Sequence, residues 1–110
     1  YDCLFVPTKE DSHFEHKIVN ELAFPLTRIK GISILEYRTP STLDSWSPNT
    51  FTNITEYFKE KYSKLMLFKS QKDRWYFQEN LLKSFHSNFQ SYKKGIKYVE
   101  QFKTIQLYKL

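Results

Sequence analysis

The sequence is short of the residues that several kinds of functional site require. Its single cysteine, Cys3, excludes an internal disulfide and a multi-cysteine zinc site, and fits a reducing compartment. Two isolated glycines leave no Gly-rich loop that could cradle a phosphate. No apolar run approaches the length of a transmembrane helix, so we expect no membrane partner.

The composition that remains is that of a globular domain. Hydrophobic residues make up 40% of the 110 residues and charged residues 26%, while aromatic residues reach 18%. This length suits one domain, so we predict a single domain over residues 1–110, monomeric by itself. The chain begins at Tyr1 without a methionine or a signal peptide. We therefore expect a piece excised from a larger, intracellular, non-secreted protein whose remaining domains are its partners.

Charge is distributed unevenly along the chain. Residues 1–60 carry six Lys/Arg and nine Asp/Glu, whereas residues 61–110 carry eleven Lys/Arg and three Asp/Glu. A basic half is typical of a surface that prefers phosphate, although a lysine-rich surface also serves solubility alone.

The first half predicts two strands and a helix. Asp2–Pro7 is a short apolar run closed by proline, and Ile32–Tyr37 is a second such run. Between them, Ser12–Glu15 has the spacing of a capping box. A helical stripe with a four-residue repeat follows up to about Ala23, where Pro25 ends the helix. The stripe consists of Phe14, Ile18 and Leu22, with Val19 beside it.

The second half predicts a further helix and several short strands. Asn53 caps a helix that stops near Ser63. Leu65–Phe68 and Trp75–Phe77 are predicted to form a hairpin. The remaining candidates are Leu81–Phe85, for which a helix is also possible, Gly95–Val99, and Thr104–Leu110, which alternates with period two. The fold class is therefore predicted to be α+β.

Catalytic groups are sparse. His13 and His16 are three residues apart among carboxylates, but two histidines without a distant third ligand are weak support for a metal site. Cys3 lies in an apolar run and is expected to be a small core residue. We expect no catalysis, no metal and no cofactor; a hydrolase fragment that uses the histidine pair is the least favoured alternative.

Aromatic residues interleaved with basic ones favour binding to nucleic acid, because rings stack on bases and cations contact phosphates. Tyr57, Lys61 and Tyr62 could supply such groups from one helix, and Trp46 lies in the polar loop Arg38–Thr50. In the structural alternative, Phe58 and Tyr62 belong to the core, the lysines are solvated and Trp46 closes the core.

The block T-E-Y-F-K-E-K-Y-S-K-L-M-L, Thr55–Leu67, resembles the signature of the PAZ domain of Dicer and Argonaute proteins. That family has a helix reading Y-[YF]-K-x-K-Y, after a Thr/Pro-containing loop with an aromatic residue. Here the loop lies within Ile34–Pro48. The resemblance is close over residues 32–69 and loose elsewhere.

The resemblance implies an SH3/OB-like β-barrel with an inserted hairpin-and-helix appendage, and a cleft that holds a two-nucleotide 3′ overhang. Tyr57 and Tyr62 match the tyrosines that bind the terminal phosphodiester. Lys61 matches the second lysine, Trp46 the loop aromatic that packs on the terminal nucleotide, and Phe58 the phenylalanine form of the motif. The family's Arg-Tyr pair on an early strand has no counterpart. Its basic replacements would be Lys9, Arg28, Lys30 and Arg38.

The function that this implies is binding of the 3′ end of small double-stranded RNA for a Dicer-like ribonuclease. An Argonaute-type domain that holds a single-stranded guide 3′ end is the nearest alternative. The alternative from another class is a basic β-barrel that binds an acidic protein and has no role with RNA.

Overall fold

The computed structural model describes residues 3–26, 28, 31–88 and 95–108, and confirms the α+β class. Four strands and three α-helices lie within this part of the chain. The strands are β1 (Cys3–Pro7), β2 (Ser33–Tyr37), β3 (Thr50–Asn53) and β4 (Val99–Gln106). The helices are α1 (Phe14–Ala23), α2 (Phe58–Leu65) and α3 (Glu79–Phe85). No helix among these residues is both long and apolar enough to cross a bilayer.

The strands form one mixed sheet in the order β1-β2-β4-β3. Strands β1 and β2 are parallel, from Cys3 opposite Ser33 to Pro7 opposite Tyr37, and helix α1 provides the crossover that a parallel pair requires. Strands β2 and β4 are antiparallel, with a bulge at Ile34/Leu35. The described strands are not closed into the expected SH3/OB-like barrel, because β1 and β3 end the order at opposite edges of the sheet.

The chain divides into two compact units. Unit 1 contains residues 1–50 and 101–110, and unit 2 contains residues 51–100. The chain passes from one unit to the other within β3 and again within β4. The single domain over residues 1–110 remains a prediction.

Unit 1 has a small core between the sheet and α1. Val6, Ala23 and Ile34 are buried there, with Leu4 packed against them. The helix begins one residue later than the capping box indicated: His13 is its N-cap, and its Nδ1 accepts from the Glu15 amide at 3.3 Å. The 3₁₀ turn Phe24–Leu26 contains Pro25 and ends the helix as expected.

Unit 2 is organised around a second apolar cluster. Ile54, Phe58 and Leu82 are buried, and the ring of Phe58 stacks on that of Tyr98 with centroids 4.4 Å apart. Four residues pack against this cluster: Tyr62, Leu65, Met66 and Tyr98. Burial of a side chain of this size contributes roughly 1.5–3 kcal/mol, so this cluster fixes α2 against α3.

The predicted hairpin is wrong. Leu65 ends α2, residues 66–74 form turns and bends, and Trp75–Phe77 is a 3₁₀ turn. Backbone amides here donate to carbonyls three or four residues earlier, as Met66 does to Tyr62 at 3.1 Å and Phe77 to Arg74 at 2.9 Å. These local bonds occupy the groups that a β-ladder would need. Apolar runs this short do not distinguish strand from helix.

The structure differs from the other predicted strands in their length or in the type of element. Leu81–Phe85 belongs to α3, the alternative that the sequence left open. Val99 alone of Gly95–Val99 is in a strand, since Gly95 has φ +93° in a turn. Thr104–Gln106 is the end of β4, which starts five residues before the predicted strand. Strand β3 was not predicted, because Thr50–Asn53 has the composition of a loop and of a helix cap.

Candidate nucleic-acid interface

The backbone that precedes α2 is held in place by two side chains. Asn53 Oδ1 accepts from the Thr55 amide at 3.0 Å and from Thr55 Oγ1 at 2.7 Å. In turn, Thr55 Oγ1 accepts from the backbone amides of Lys97 at 2.9 Å and Tyr98 at 3.2 Å. The predicted helix cap at Asn53 is wrong, because Asn53 ends β3, and neither α2 nor the 3₁₀ turn Thr55–Tyr57 that precedes it has a side-chain cap. This turn leaves the side chain of Tyr57 61% exposed.

A groove of about 360 Å³ lies along α2 within unit 2. It combines an apolar wall, a tyrosine, two lysines and two glutamates. Its lining residues are Ile54, Tyr57, Glu60, Lys61, Lys64, Leu65 and Glu100. The tyrosine hydroxyl and the ammonium groups can donate to an anionic oxygen, while Ile54 and Leu65 can contact a sugar or a base.

Lys61 lies at the centre of the charged part of this groove. Its Nζ is 2.5 Å from Glu100 Oε1 and 2.7 Å from His86 Nε2. His86 Nδ1 is 2.8 Å from the carbonyl of Leu82. Since a carbonyl only accepts, Nδ1 carries the proton and Nε2 accepts from the lysine. The ammonium is therefore held in one position, with donor capacity left for a ligand.

The second lysine of the groove has a looser partner. Lys64 Nζ is 2.9 Å from Glu60 Oε1, one helical turn earlier, and both side chains are mostly exposed. Such a surface pair contributes little free energy and exchanges readily. Each lysine of the groove thus has one carboxylate neighbour. An anionic ligand would have to compete with these two carboxylates for the ammonium groups.

The predicted helix residues separate into two groups. Tyr57 and Lys61 line the groove, whereas Phe58 is buried in the core of unit 2. Tyr62 is half-buried and packs against that core instead of lining the groove. The helical period explains this division, because Tyr57, Lys61 and Lys64 share a face that lies away from Phe58 and Tyr62.

Trp46 is in unit 1 and has the position of a core-closing residue. Its side chain is 7% exposed, and Nε1 donates to Oε1 of the buried Glu36 at 3.2 Å. The other carboxylate oxygen of Glu36 accepts from Asn20 Nδ2 at 2.9 Å. The ring is thus held inside unit 1, which is the alternative in which Trp46 closes the core.

Three of the proposed replacements for the family's Arg-Tyr pair are described by the structure, and all three are in unit 1. Lys9, Arg28 and Arg38 are exposed, with Lys9 and Arg38 following the carboxyl ends of the parallel strands β1 and β2. Lys30 lies outside the described residues. None of the three described residues belongs to unit 2, in which the groove lies.

A buried carboxylate, Asp11, organises the loop that contains Trp46, and sequence reasoning missed it. Its oxygens accept from Ser41 Oγ at 2.6 Å, the His13 amide at 2.7 Å and Thr39 Oγ1 at 2.7 Å, and His16 Nδ1 lies 3.0 Å away. Burial by itself would raise the pKa of Asp11, but these hydrogen bonds outweigh it and hold the pKa well below the ordinary range. The Asp11–Ser41 network therefore requires the ionised carboxylate.

The histidine pair serves this local structure. The rings of His13 and His16 stack with centroids 4.6 Å apart, and each has a polar contact within unit 1. No group of three His, Cys, Asp or Glu side chains suited to a metal occurs among the described residues. Cys3 is exposed at the start of β1, contrary to its expected place in the core.

The groove lining and the contacts of Lys61 include residues that the sequence did not single out. Glu60 and Lys64 have a local signal, a four-residue spacing on one helix. His86 and Glu100 come from distant parts of the chain, so only the fold of unit 2 brings them to Lys61.

Comparison with known proteins finds no matching family model, no matching curated protein and no matching solved structure.

Proposed function

We propose that the groove of unit 2 binds the 3′ end of RNA, in the manner of a PAZ-type domain. The observation that supports this most is the exposed Tyr57 hydroxyl beside Lys61 and Lys64, on a groove with an apolar wall. A terminal phosphodiester needs charge-assisted donors, and the adjoining sugar and base need apolar contact. The resemblance of Thr55–Leu67 to the PAZ signature favours the same ligand.

Within that proposal, Tyr57 donates its hydroxyl to a phosphate oxygen and Lys61 supplies the fixed positive charge. Lys64 turns from Glu60 to the same phosphate. Tyr62 and Phe58 act indirectly, because they anchor α2 to the core of unit 2. In a Dicer-like parent, such a site would anchor a duplex with a two-nucleotide 3′ overhang, so that cleavage occurs at a set distance from the end. In an Argonaute-type parent it would hold a guide 3′ end.

One observation favours a different class of function. Trp46 is buried within unit 1, so it offers no ring on which a terminal base could stack. A protein-interaction module of basic character would need no base-stacking ring. An acidic protein would then be the ligand, and RNA ends would have no preference for the groove.

The test is fluorescence anisotropy with labelled RNA duplexes that differ only at the end. A duplex with a two-nucleotide 3′ overhang should bind at least about tenfold more tightly than a blunt duplex. Tyr57→Phe should weaken overhang binding by about 1.5–3 kcal/mol, the value of one hydrogen bond to a charged group.

Tyr108→Phe is the matched control, because Tyr108 is an exposed tyrosine of unit 1. This variant should bind RNA like the unchanged protein. Equal affinity for blunt and overhanging duplexes would refute the proposal and favour the protein-interaction module.

A further inference from the structure

Helix α1 places its apolar row on the side away from the core. Phe14, Ile18 and Leu22 are 71%, 38% and 69% exposed, and their spacing of four residues puts them in one row. An amphipathic helix ordinarily turns such a row inward. Here the inward side consists of Ala23, which is small, and Asn20, which is polar.

The inward side is fixed by hydrogen bonds, so the helix cannot rotate to hide its apolar row. Asn20 is buried, and its Nδ2 donates to the Pro7 carbonyl at 2.8 Å and to Glu36 Oε2 at 2.9 Å. Rotation of α1 would break both bonds and leave buried polar groups unpaired, which is unfavourable. The exposed row is therefore a fixed feature of unit 1.

We propose that this row is the contact surface for a second copy of the chain, with the two α1 helices antiparallel about a two-fold axis near Ile18. Phe14 then packs on Leu22 of the second copy, and Ile18 packs on its own equivalent. A two-fold contact requires a self-complementary surface. This row meets that requirement, because it has a large apolar residue at each end and a third on the two-fold axis.

The charges beside the row have the same two-fold complementarity. Lys17 and Glu21 are exposed on one flank, about 40° apart around the helix, with Glu21 about 20° from Phe14. Within the part of the chain that the structure describes, neither is in a salt bridge. In an antiparallel pair this flank meets its own equivalent, so each Lys17 faces Glu21 of the other copy. An unrelated partner would not require this arrangement.

The contact is small, which sets the expected affinity. A ten-residue helix is about 15 Å long, so the interface belongs to the weak class that buries less than about 1,200 Å² in total. We expect a reversible dimer with a dissociation constant on the order of tens of micromolar.

Sedimentation equilibrium of the full chain, at about 5–500 μM in 150 mM salt, should show this monomer–dimer equilibrium. Ile18→Glu should raise the dissociation constant at least about tenfold, because it places two carboxylates at the centre of the contact. Leu67→Glu, at an exposed leucine of unit 2, is the control and should leave association unchanged. A chain that stays monomeric at all concentrations would overturn the proposal, as would a dimer insensitive to Ile18→Glu.

Charge reversal tests the two-fold geometry even if Ile18→Glu reduces folding. Lys17→Glu and Glu21→Lys should each weaken association about tenfold, since each replaces two attractive pairs by two repulsive ones. The double variant K17E/E21K should return to within about twofold of the original value, and the two single variants mixed together should form a heterodimer. A double variant as weak as the singles would refute the antiparallel pairing.

Discussion

The indole Nε1 of Trp46 donates to Oε1 of Glu36 at 3.2 Å, and both side chains are buried in unit 1. Because the second oxygen of Glu36 accepts from Asn20 on α1, the loop, the sheet and the helix are connected through one carboxylate. The sequence left two roles open for Trp46, a stacking surface and a core-closing residue, and its buried indole anchors the loop in the second way.

Trp46→Phe should destabilise the protein while leaving RNA-end binding unchanged in the folded molecules. The phenyl ring fills most of the space but leaves Glu36 Oε1 without its donor, which costs about 1–3 kcal/mol. Urea denaturation measures the loss. Trp75→Phe, at an exposed tryptophan, should change the free energy of unfolding by less than about 0.5 kcal/mol. Weaker RNA binding at unchanged stability would instead make Trp46 a stacking platform.

Stability should fall in acid because of Asp11. Its pKa is depressed in the folded protein, so the stability it supplies is complete above its ordinary value near 3.8. That contribution is lost as pH falls below about 4, where the unfolded chain takes up the proton more readily. Unfolding free energies measured at pH 7, 5, 4 and 3 should show this decline.

Asp11→Asn should cost about 2–4 kcal/mol at pH 7, because the amide cannot accept every hydrogen bond of the carboxylate. It should also flatten the acid decline. Asp73→Asn, at an exposed carboxylate in a turn, should leave the pH profile unchanged. An Asp11→Asn profile as steep as the original would assign the acid loss to other groups.

Glu60→Gln should strengthen RNA-end binding, because it removes the carboxylate that holds Lys64 at 2.9 Å. We expect a gain of about two- to fivefold, the size of an exposed ion pair. Lys64→Gln should weaken binding, whereas Lys59→Gln, on the same helix but outside the groove lining, should have the smaller effect. Anisotropy titrations at fixed salt measure all three, and weaker binding by Glu60→Gln would argue against phosphate at Lys64.

Leu82→Ala should destabilise unit 2 by about 2–5 kcal/mol, since it opens a cavity beside Ile54 and Phe58. Leu67→Ala, at an exposed leucine, is the control and should change stability by less than about 0.5 kcal/mol. Denaturation followed by far-ultraviolet circular dichroism compares them. Equal stabilities would show that the Ile54–Phe58–Leu82 cluster does not hold unit 2 together.

Part of the candidate site could be predicted from local pattern. The four-residue spacing predicts that Tyr57 and Lys61 share one helix face, and both line the groove. The same spacing puts Tyr62 on the helix face of Phe58, and in the structure Tyr62 packs against the core. The contacts from His86 and Glu100 could not be predicted, because 25 and 39 residues separate them from Lys61 and no local signal joins them.

The sequence by itself determined the α+β class, strands β1 and β2 and the end of α1 at Pro25, because these depend on backbone chemistry over a few residues. Only the tertiary structure decided that residues 66–77 form turns, that the sheet stays open and that Trp46 points inward. It also decided which side of α1 faces the core. The apolar row of α1 would favour burial, but the hydrogen bonds of Asn20 to Pro7 and Glu36 hold the opposite side inward, and those partners exist only once β1, β2 and α1 have assembled.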